Sequence, residues 1–221
     1  MAASSVGYAR SKWVAEQICQ SAHRYESRLH GRIAVLRIGQ LCGDGQAGVW
    51  NVTEAWPLML SSTAVTGALP RLKETLNWLK VDIAAAAVVE VAMNVADQTP
   101  EIGAKVDDVR VYHVINSQNE PTWDNLLAWV KTRRPDIEVL PPAEWVTRLE
   151  DLEGAGRDHP ARKLLGLWKA AYCGPTSTDE NVDPSFSMER TLEVAPVLAG
   201  VQPLNEDYFG KIWAWIEREM S

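Results

Sequence analysis

Two short runs, Arg32-Ile-Ala-Val-Leu-Arg-Ile38 and Arg110-Val-Tyr-His-Val-Ile-Asn116, are rich in β-branched and aliphatic residues and sit among segments of helical periodicity. That alternation restricts the fold more than any other feature. Apolar runs of this length read as strands buried in a sheet, and strands separated by helices read as a parallel α/β arrangement. Residues 8–30 read as a helix, with Trp13, Val14, Ile18 and Cys19 at helical spacing and Gly31 at its C-terminal end. A second helix is expected from about Thr53 to Thr66, with Pro57 in the first turn, where a missing N–H costs little. Residues 77–81 read as a short extended piece ending at Asp82, which is expected to cap an alanine- and valine-rich helix through residue 96. Thr122 is expected to cap a helix through Arg133, which Pro135 stops, and residues 137–140 read as a third strand. Beyond Pro141 the pattern is helical, at 142–152, 159–172, 187–198 and 204–219, with polar breakers over 174–184. The expected organisation is an α/β core over residues 1–140 and a helical lobe over 141–221.

Composition removes several classes of function. The chain has 221 residues and a formal net charge of -7. No basic stripe interrupts that balance, which argues against a nucleic acid held through its phosphates. Hydrophobic residues at 46% and charged residues at 23% suit a globular protein. No apolar run approaches the roughly 18 residues that cross a bilayer, and Met1 is followed by small polar residues rather than a secretory pattern. Cys19, Cys42 and Cys173 are an odd, scattered set with no metal-binding spacing. A reducing cytoplasm is the expected setting. His23, His30, His113 and His159 are dispersed, so no metal site is expected. Ten tryptophans are many for this length. Most belong in the core, and Trp50, Trp56 and Trp78 are candidates for lining an apolar substrate cleft.

Chemistry is concentrated at the beginning, in Tyr8-Ala-Arg-Ser-Lys12. Residues four apart share a helix face, about 5–6 Å apart at Cβ. An ammonium beside a phenol favours the phenolate, and such a phenol can give a proton to a developing oxyanion. Taken alone, a tyrosine and lysine at this spacing are also an ordinary surface pair. Cys42 lacks the neighbouring base that a nucleophile requires, and His113 reads as a residue of an apolar strand.

Gly7-Tyr-Ala-Arg-Ser-Lys-Trp-Val-Ala-Glu16 resembles the active-site helix of extended short-chain dehydrogenases. Val35-Leu-Arg-Ile-Gly-Gln-Leu-Cys-Gly43 is similar to the strand and loop that pass the nicotinamide in that family, and Trp78-Leu-Lys-Val-Asp82 to a later family segment. Trp13, Gly48-Val-Trp-Asn51 and Ser61-Ser62 with Gly67-Ala-Leu-Pro70 narrow the likeness to thioester reductases, the terminal domains of fungal peptide synthetases, polyketide synthases and related enzymes. The ending, Ser185-Phe-Ser-Met-Glu-Arg-Thr-Leu192 and a tryptophan-rich last helix, is also similar.

The resemblance implies a partial Rossmann-type parallel sheet with a helical substrate lobe. It makes Tyr8 the proton donor, Lys12 its partner and ribose ligand, and Ile38, Gly39 and Gln40 the border of the nicotinamide. Trp50, Asn51 and Trp78 are the implied substrate residues. The implied cofactor is NADPH, and the implied substrate is an acyl thioester on the phosphopantetheine arm of a carrier protein, released as aldehyde or alcohol. The family's glycine-rich turn for the pyrophosphate lies upstream of the tyrosine, and only seven residues precede Tyr8. The N-terminal half is therefore expected to come from elsewhere, and a homodimer or a bound fragment to cover the edge it leaves. Gly43-Asp-Gly45-x-x-Gly48 superficially has a phosphate loop's spacing, but a flexible loop over the substrate cleft is expected there. Two further readings stand beside reduction: a redox-inactive domain that releases or cyclises its product by Dieckmann-type chemistry, and a non-catalytic lobe that docks a carrier protein.

Overall fold

A computed structural model describes residues 7–97, 109–152, 158–174 and 186–220. In chain order the elements are α1 (Gly7–Tyr25), β1 (Ala34–Ile38), β2 (Leu41–Cys42), α2 (Ala55–Ser61), α3 (Thr63–Thr66), β3 (Ala68–Pro70), β4 (Leu79–Lys80) and α4 (Val81–Asp97). They continue with β5 (Arg110–Val114), α5 (Trp123–Arg133), β6 (Glu138–Leu140), α6 (Pro142–Glu150), α7 (Leu165–Tyr172), α8 (Glu189–Val194) and α9 (Glu206–Met220). Short 3₁₀ turns lie at Ser27–Leu29, Pro160–Leu164 and Pro196–Gly200.

The described residues form two compact units, each discontinuous in sequence. The first holds residues 7–40, 82–97, 109–116 and 186–201. The second holds 41–81, 117–152, 158–174 and 202–220. The boundary expected at residue 140 falls inside the second unit. The reason is strand pairing: β3 runs parallel to β6, with Ala68 opposite Glu138 and Pro70 opposite Leu140. A cut after residue 140 would divide that unit's core.

In the first unit β1 and β5 pair in parallel, from Ala34 opposite Arg110 to Ile38 opposite Val114. The Gly39 N–H continues the ladder to the Val114 carbonyl at 3.0 Å. Helix α1 is tied to both strands. The Arg37 guanidinium grips Glu16 with both arms, at 2.8 and 2.7 Å, and the Gln20 side-chain oxygen accepts from the Val109 N–H at 3.0 Å. Gly31, at φ 70°, turns the chain between α1 and β1 in a conformation that favours glycine. On the other side, the Thr191 hydroxyl oxygen accepts from the His113 N–H, and the Glu90 carboxylate from the Val197 N–H. His23 and His30, dispersed in the sequence, have ring centroids 5.8 Å apart. Among the described residues no group of three His, Cys, Asp or Glu could hold a metal.

The second unit has one hydrophobic core. Trp50, Trp78, Trp56 and Trp123 form a chain of rings with successive centroids at 5.1, 5.3 and 5.3 Å. Trp145 and Trp168 meet edge to face at 4.9 Å. The buried Trp123 indole N–H donates to the Pro70 carbonyl at 2.8 Å, as most buried donors find an acceptor. The shorter pair β2–β4 is also parallel, with Leu41 opposite Leu79.

Several expected helices differ in detail. The one over 53–66 divides at Ser62 into α2 and α3. The Ser61, Ser62 and Thr63 hydroxyls each donate to the carbonyl three residues back, at Leu58, Met59 and Leu60, and such bonds compete with the helical ladder. The helix over 187–198 stops at Val194, because Pro196 cannot continue it and a 3₁₀ turn follows. Asp82 is not a cap: α4 already starts at Val81, and Asp82 sits in its first turn, where the helix dipole favours a carboxylate. Thr122 caps α5 as expected, with Asn125 accepting from its N–H and hydroxyl at 2.8 and 2.9 Å. The breakers at 175–184 lie outside the described residues. No helix among the described residues is long and apolar enough to cross a membrane.

Leu69 is fully buried where β3 and β6 pair. Leu69→Ala removes three fully buried carbons. It should lower the unfolding free energy by about 2–5 kcal/mol in chemical denaturation; a loss below about 1 kcal/mol would contradict this placement of the core.

Candidate functional site

Helix α1 carries Tyr8, Lys12, Glu16 and Gln20 at intervals of four, so they form one ridge. Two of those residues fix its direction. Gln20 meets Val109, immediately before β5. Glu16 meets Arg37, one residue before the end of β1. Moving toward the N-terminus of α1 therefore moves toward the carboxyl ends of both strands. Lys12 and Tyr8 continue along that ridge, with Tyr8 about 12 Å beyond Glu16 at 1.5 Å per residue. This follows from the sequence: two parallel strands point the same way, and the helix before β1 must run back against them.

The Lys12 ammonium lies 5.0 Å from the centroid of the Tyr8 ring. That is within the range at which a cation and an aromatic face attract. The Tyr8 side chain is otherwise open, at 72% exposure, and the Ser11 hydroxyl donates to the Tyr8 carbonyl at 2.7 Å. The Arg37 guanidinium holds the Glu16 carboxyl below its usual range, chiefly through the direct hydrogen bond.

Ile38, Gly39 and Gln40 leave β1 at its carboxyl end. Ile38 is about half exposed. At Gly39 an added Cβ would stand 3.1 Å from Ile115 Cγ2, so the backbone passes β5 closely. In open α/β sheets, ligands bind outside the carboxyl ends of the strands. Tyr8, Lys12 and Ile38–Gln40 thus lie toward the end of the strands at which ligands bind in such sheets.

The loop at residues 43–51, in the second unit, does not suit the pyrophosphate. The Asp44 carboxylate already accepts from the Gln46, Ala47 and Val49 N–H groups, each at 2.8 Å. Those backbone donors, Ala47 and Val49 foremost, hold the Asp44 carboxyl below its usual range. A phosphate approaching them would meet a carboxylate in place. The glycines have another purpose. A Cβ at Gly43 would fall 2.5 Å from the Gly48 carbonyl oxygen, and one at Gly48, whose φ is 71°, 2.7 Å from the Ile212 nitrogen. They let the loop fold on itself and lie against α9. The expectation of a flexible cover is therefore corrected: the loop's polar backbone is tied down from within.

Trp50 and Trp78 are 5% and 2% exposed. They belong to the ring chain of the core, and the expectation that they line a cleft gives way to that role. Asn51 is exposed, and its side-chain oxygen accepts from the Thr53 N–H and hydroxyl at 3.1 and 2.8 Å. Cys42 is buried, its sulfur 3.3 Å from the Tyr208 hydroxyl oxygen. That hydroxyl donates to the Gly43 carbonyl, so the thiol is the donor of the pair. Sequence reasoning missed the Glu16–Arg37 pair; its one signal is that Glu16 continues the Tyr8–Lys12 interval. It also missed Tyr208, which lies 166 residues from Cys42.

The lowered Asp44 pKa has a consequence for pH. Its three N–H contacts are present above the ordinary carboxylate range and are lost as pH falls through the depressed folded value. Amide exchange at Gln46, Ala47 and Val49 should therefore accelerate, relative to intrinsic rates, only in strong acid. Relative acceleration already between pH 5 and 6 would contradict this account.

Residues 2–88 match a nucleotide-binding family model described as "Male sterility protein". The chain is 30% identical over 218 residues to the non-reducing polyketide synthase pgmA of Aspergillus terreus, covering 96% of this chain and 8% of that protein. It is 30% identical over 186 residues to the non-canonical non-ribosomal peptide synthetase ascB of Acremonium egyptiacum, covering 81% of this chain and 16% of that protein. The chain thus spans a small part of the curated relatives it matches. Its fold matches the terminal R domain from the myxalamid PKS-NRPS pathway, with a TM-score of 0.70, 21% identity, and coverage of 96% of this chain and 50% of that one. It also matches a thiolation-reductase di-domain from an archaeal non-ribosomal peptide synthetase, with a TM-score of 0.62, 18% identity, and coverage of 97% and 41%. The chain belongs to a family of domains found in fungal polyketide synthases and peptide-synthetase-like enzymes, and its fold is that of terminal R domains.

Proposed function

We propose that this chain supplies the proton-donating and acyl-binding part of a reductase that releases a carrier-bound acyl thioester as an aldehyde or alcohol. One observation carries the reading: the α1 ridge ends, beyond the carboxyl ends of two parallel strands, in a phenol with an ammonium 5.0 Å from its ring. A phenol with a neighbouring ammonium in that place can give a proton to a carbonyl as it is reduced.

NADPH, when bound, supplies the hydride; Lys12 would hold its ribose, and Ile38, Gly39 and Gln40 would border its nicotinamide. The residues of this chain act on the substrate oxygen. As the thioester carbonyl becomes tetrahedral its oxygen gains negative charge. The Tyr8 O–H hydrogen-bonds that oxygen and gives it the proton, and the Lys12 ammonium stabilises the phenolate that remains. On collapse the hydroxyl proton returns to the Tyr8 phenolate, the C–S bond breaks, and the pantetheine thiolate leaves as the aldehyde forms. Asn51, exposed beside a buried tryptophan, would contact the acyl-pantetheine chain. A carrier protein is the implied partner, in keeping with the di-domain neighbour, which joins a thiolation domain to a reductase.

The test uses a polypeptide in which this chain is joined to a glycine-loop half. NADPH oxidation with an acyl-pantetheine thioester should fall by about 10²–10⁴-fold in Tyr8→Phe, with the fold retained. Equal turnover by Tyr8→Phe and the unaltered protein would overturn the assignment.

A further inference from the structure

Helix α9 is, we infer, the positioning element of the acyl-thioester loop: it holds residues 43–51 in one conformation, and this hold sets the affinity for the acyl-pantetheine substrate. The inference rests on the proposed function for what the loop binds, and on the structure alone for how the loop is held.

Three side chains of α9 donate to three carbonyls of the loop. The Tyr208 hydroxyl donates to the Gly43 carbonyl. The Lys211 ammonium donates to the Gly45 carbonyl at 3.3 Å. The Trp215 indole N–H donates to the Trp50 carbonyl at 2.9 Å. Residues 208, 211 and 215 are spaced by three and four, so they share one face of the helix. The loop is thus fastened on two sides, with its N–H groups gathered on Asp44 and its carbonyls gathered on α9. Gly48 brings its backbone against that of Ile212, and nothing larger fits between them.

The helix is itself fixed. The Asn205 side chain accepts from the Tyr208 N–H at 2.9 Å, and Arg133 of α5 pairs with Glu206 at 3.0 Å. Tyr208 is buried, with the Cys42 thiol on its oxygen and the Lys80 ammonium 4.4 Å from its ring centroid. Its hydroxyl cannot turn elsewhere without abandoning several contacts. The last of the three bonds falls on the carbonyl of Trp50, directly before the exposed Asn51. A displacement there moves the residue assigned to the substrate. Tyr208, Lys211 and Trp215 are therefore positioning residues, which act through the loop.

The experiment compares the chain with Trp215→Phe and Tyr208→Phe, each of which keeps a ring and loses a donor. Trp129→Phe, which alters the packing of α9 at Phe209, is the control for general loosening. Two quantities are read: hydrogen exchange at Gln46, Ala47 and Val49, and the Kd of octanoyl-pantetheine followed by tryptophan fluorescence. The expected result is about tenfold faster loop exchange in both loop variants and a Kd raised about three- to tenfold, with the control near the unaltered chain. Unchanged loop exchange in both variants overturns the inference. So does faster exchange with an unchanged Kd, or an unaltered chain that does not bind the thioester. Neither readout involves Tyr8 or NADPH, so an inert Tyr8→Phe substitution would sink the reduction reading and leave this result standing.

Discussion

The two-armed ion pair between Glu16 and Arg37 sets the geometry on which the functional reading depends. A helix that packs on a strand can slide or rotate, and apolar contacts alone restrain neither motion strongly. A guanidinium fork on a carboxylate restrains both, because two parallel bonds define a direction as well as a distance. The pair is partly exposed, with Arg37 and Glu16 side chains at 41% and 27%, so its value lies in register more than in stability. Gln20 repeats the restraint one turn further on. Between them they decide which end of α1 stands past the carboxyl ends of β1 and β5, and that end carries Tyr8 and Lys12.

The second unit solves a different problem. A glycine-rich loop has a flexible backbone and many polar groups, and it becomes a defined surface only if both are restrained. Here a single carboxylate takes three N–H groups, while one face of α9 supplies donors for the carbonyls. The glycines that look like a phosphate cradle are instead places where backbone meets backbone. The same residue type at the same spacing can serve either purpose. What separates them is whether the amides point outward or are already engaged, and here Asp44 engages them.

Much of this was legible in the residues. The β-branched runs at 34–38 and 110–114 became the parallel pair, and Thr122 became the cap of α5, because periodicity and capping chemistry are local. Tyr8 and Lys12 could be set on one face by counting. Interruptions within helices were harder to see. Ser61, Ser62 and Thr63 favour their own carbonyls over the ladder, an outcome that depends on how those hydroxyls are buried. Burial misled the reading of the tryptophans: Trp50 and Trp78 could fill a core or line a cleft, and only packing against Trp56 and Trp123 decides. Tyr208, Lys211 and Trp215 were invisible as a group, because their partners lie about 165 residues away along the chain.

The central claim is that the Glu16–Arg37 pair aims the phenol of Tyr8 at the reacting oxygen. A double-mutant cycle on turnover tests it most directly, with Glu16→Gln, Arg37→Gln and the two combined, in the polypeptide that carries the glycine-loop half. If the pair acts as one device, each single change lowers kcat, and the double variant is no slower than the slower single one. Full turnover in both single variants, or losses that simply multiply in the double, would contradict it.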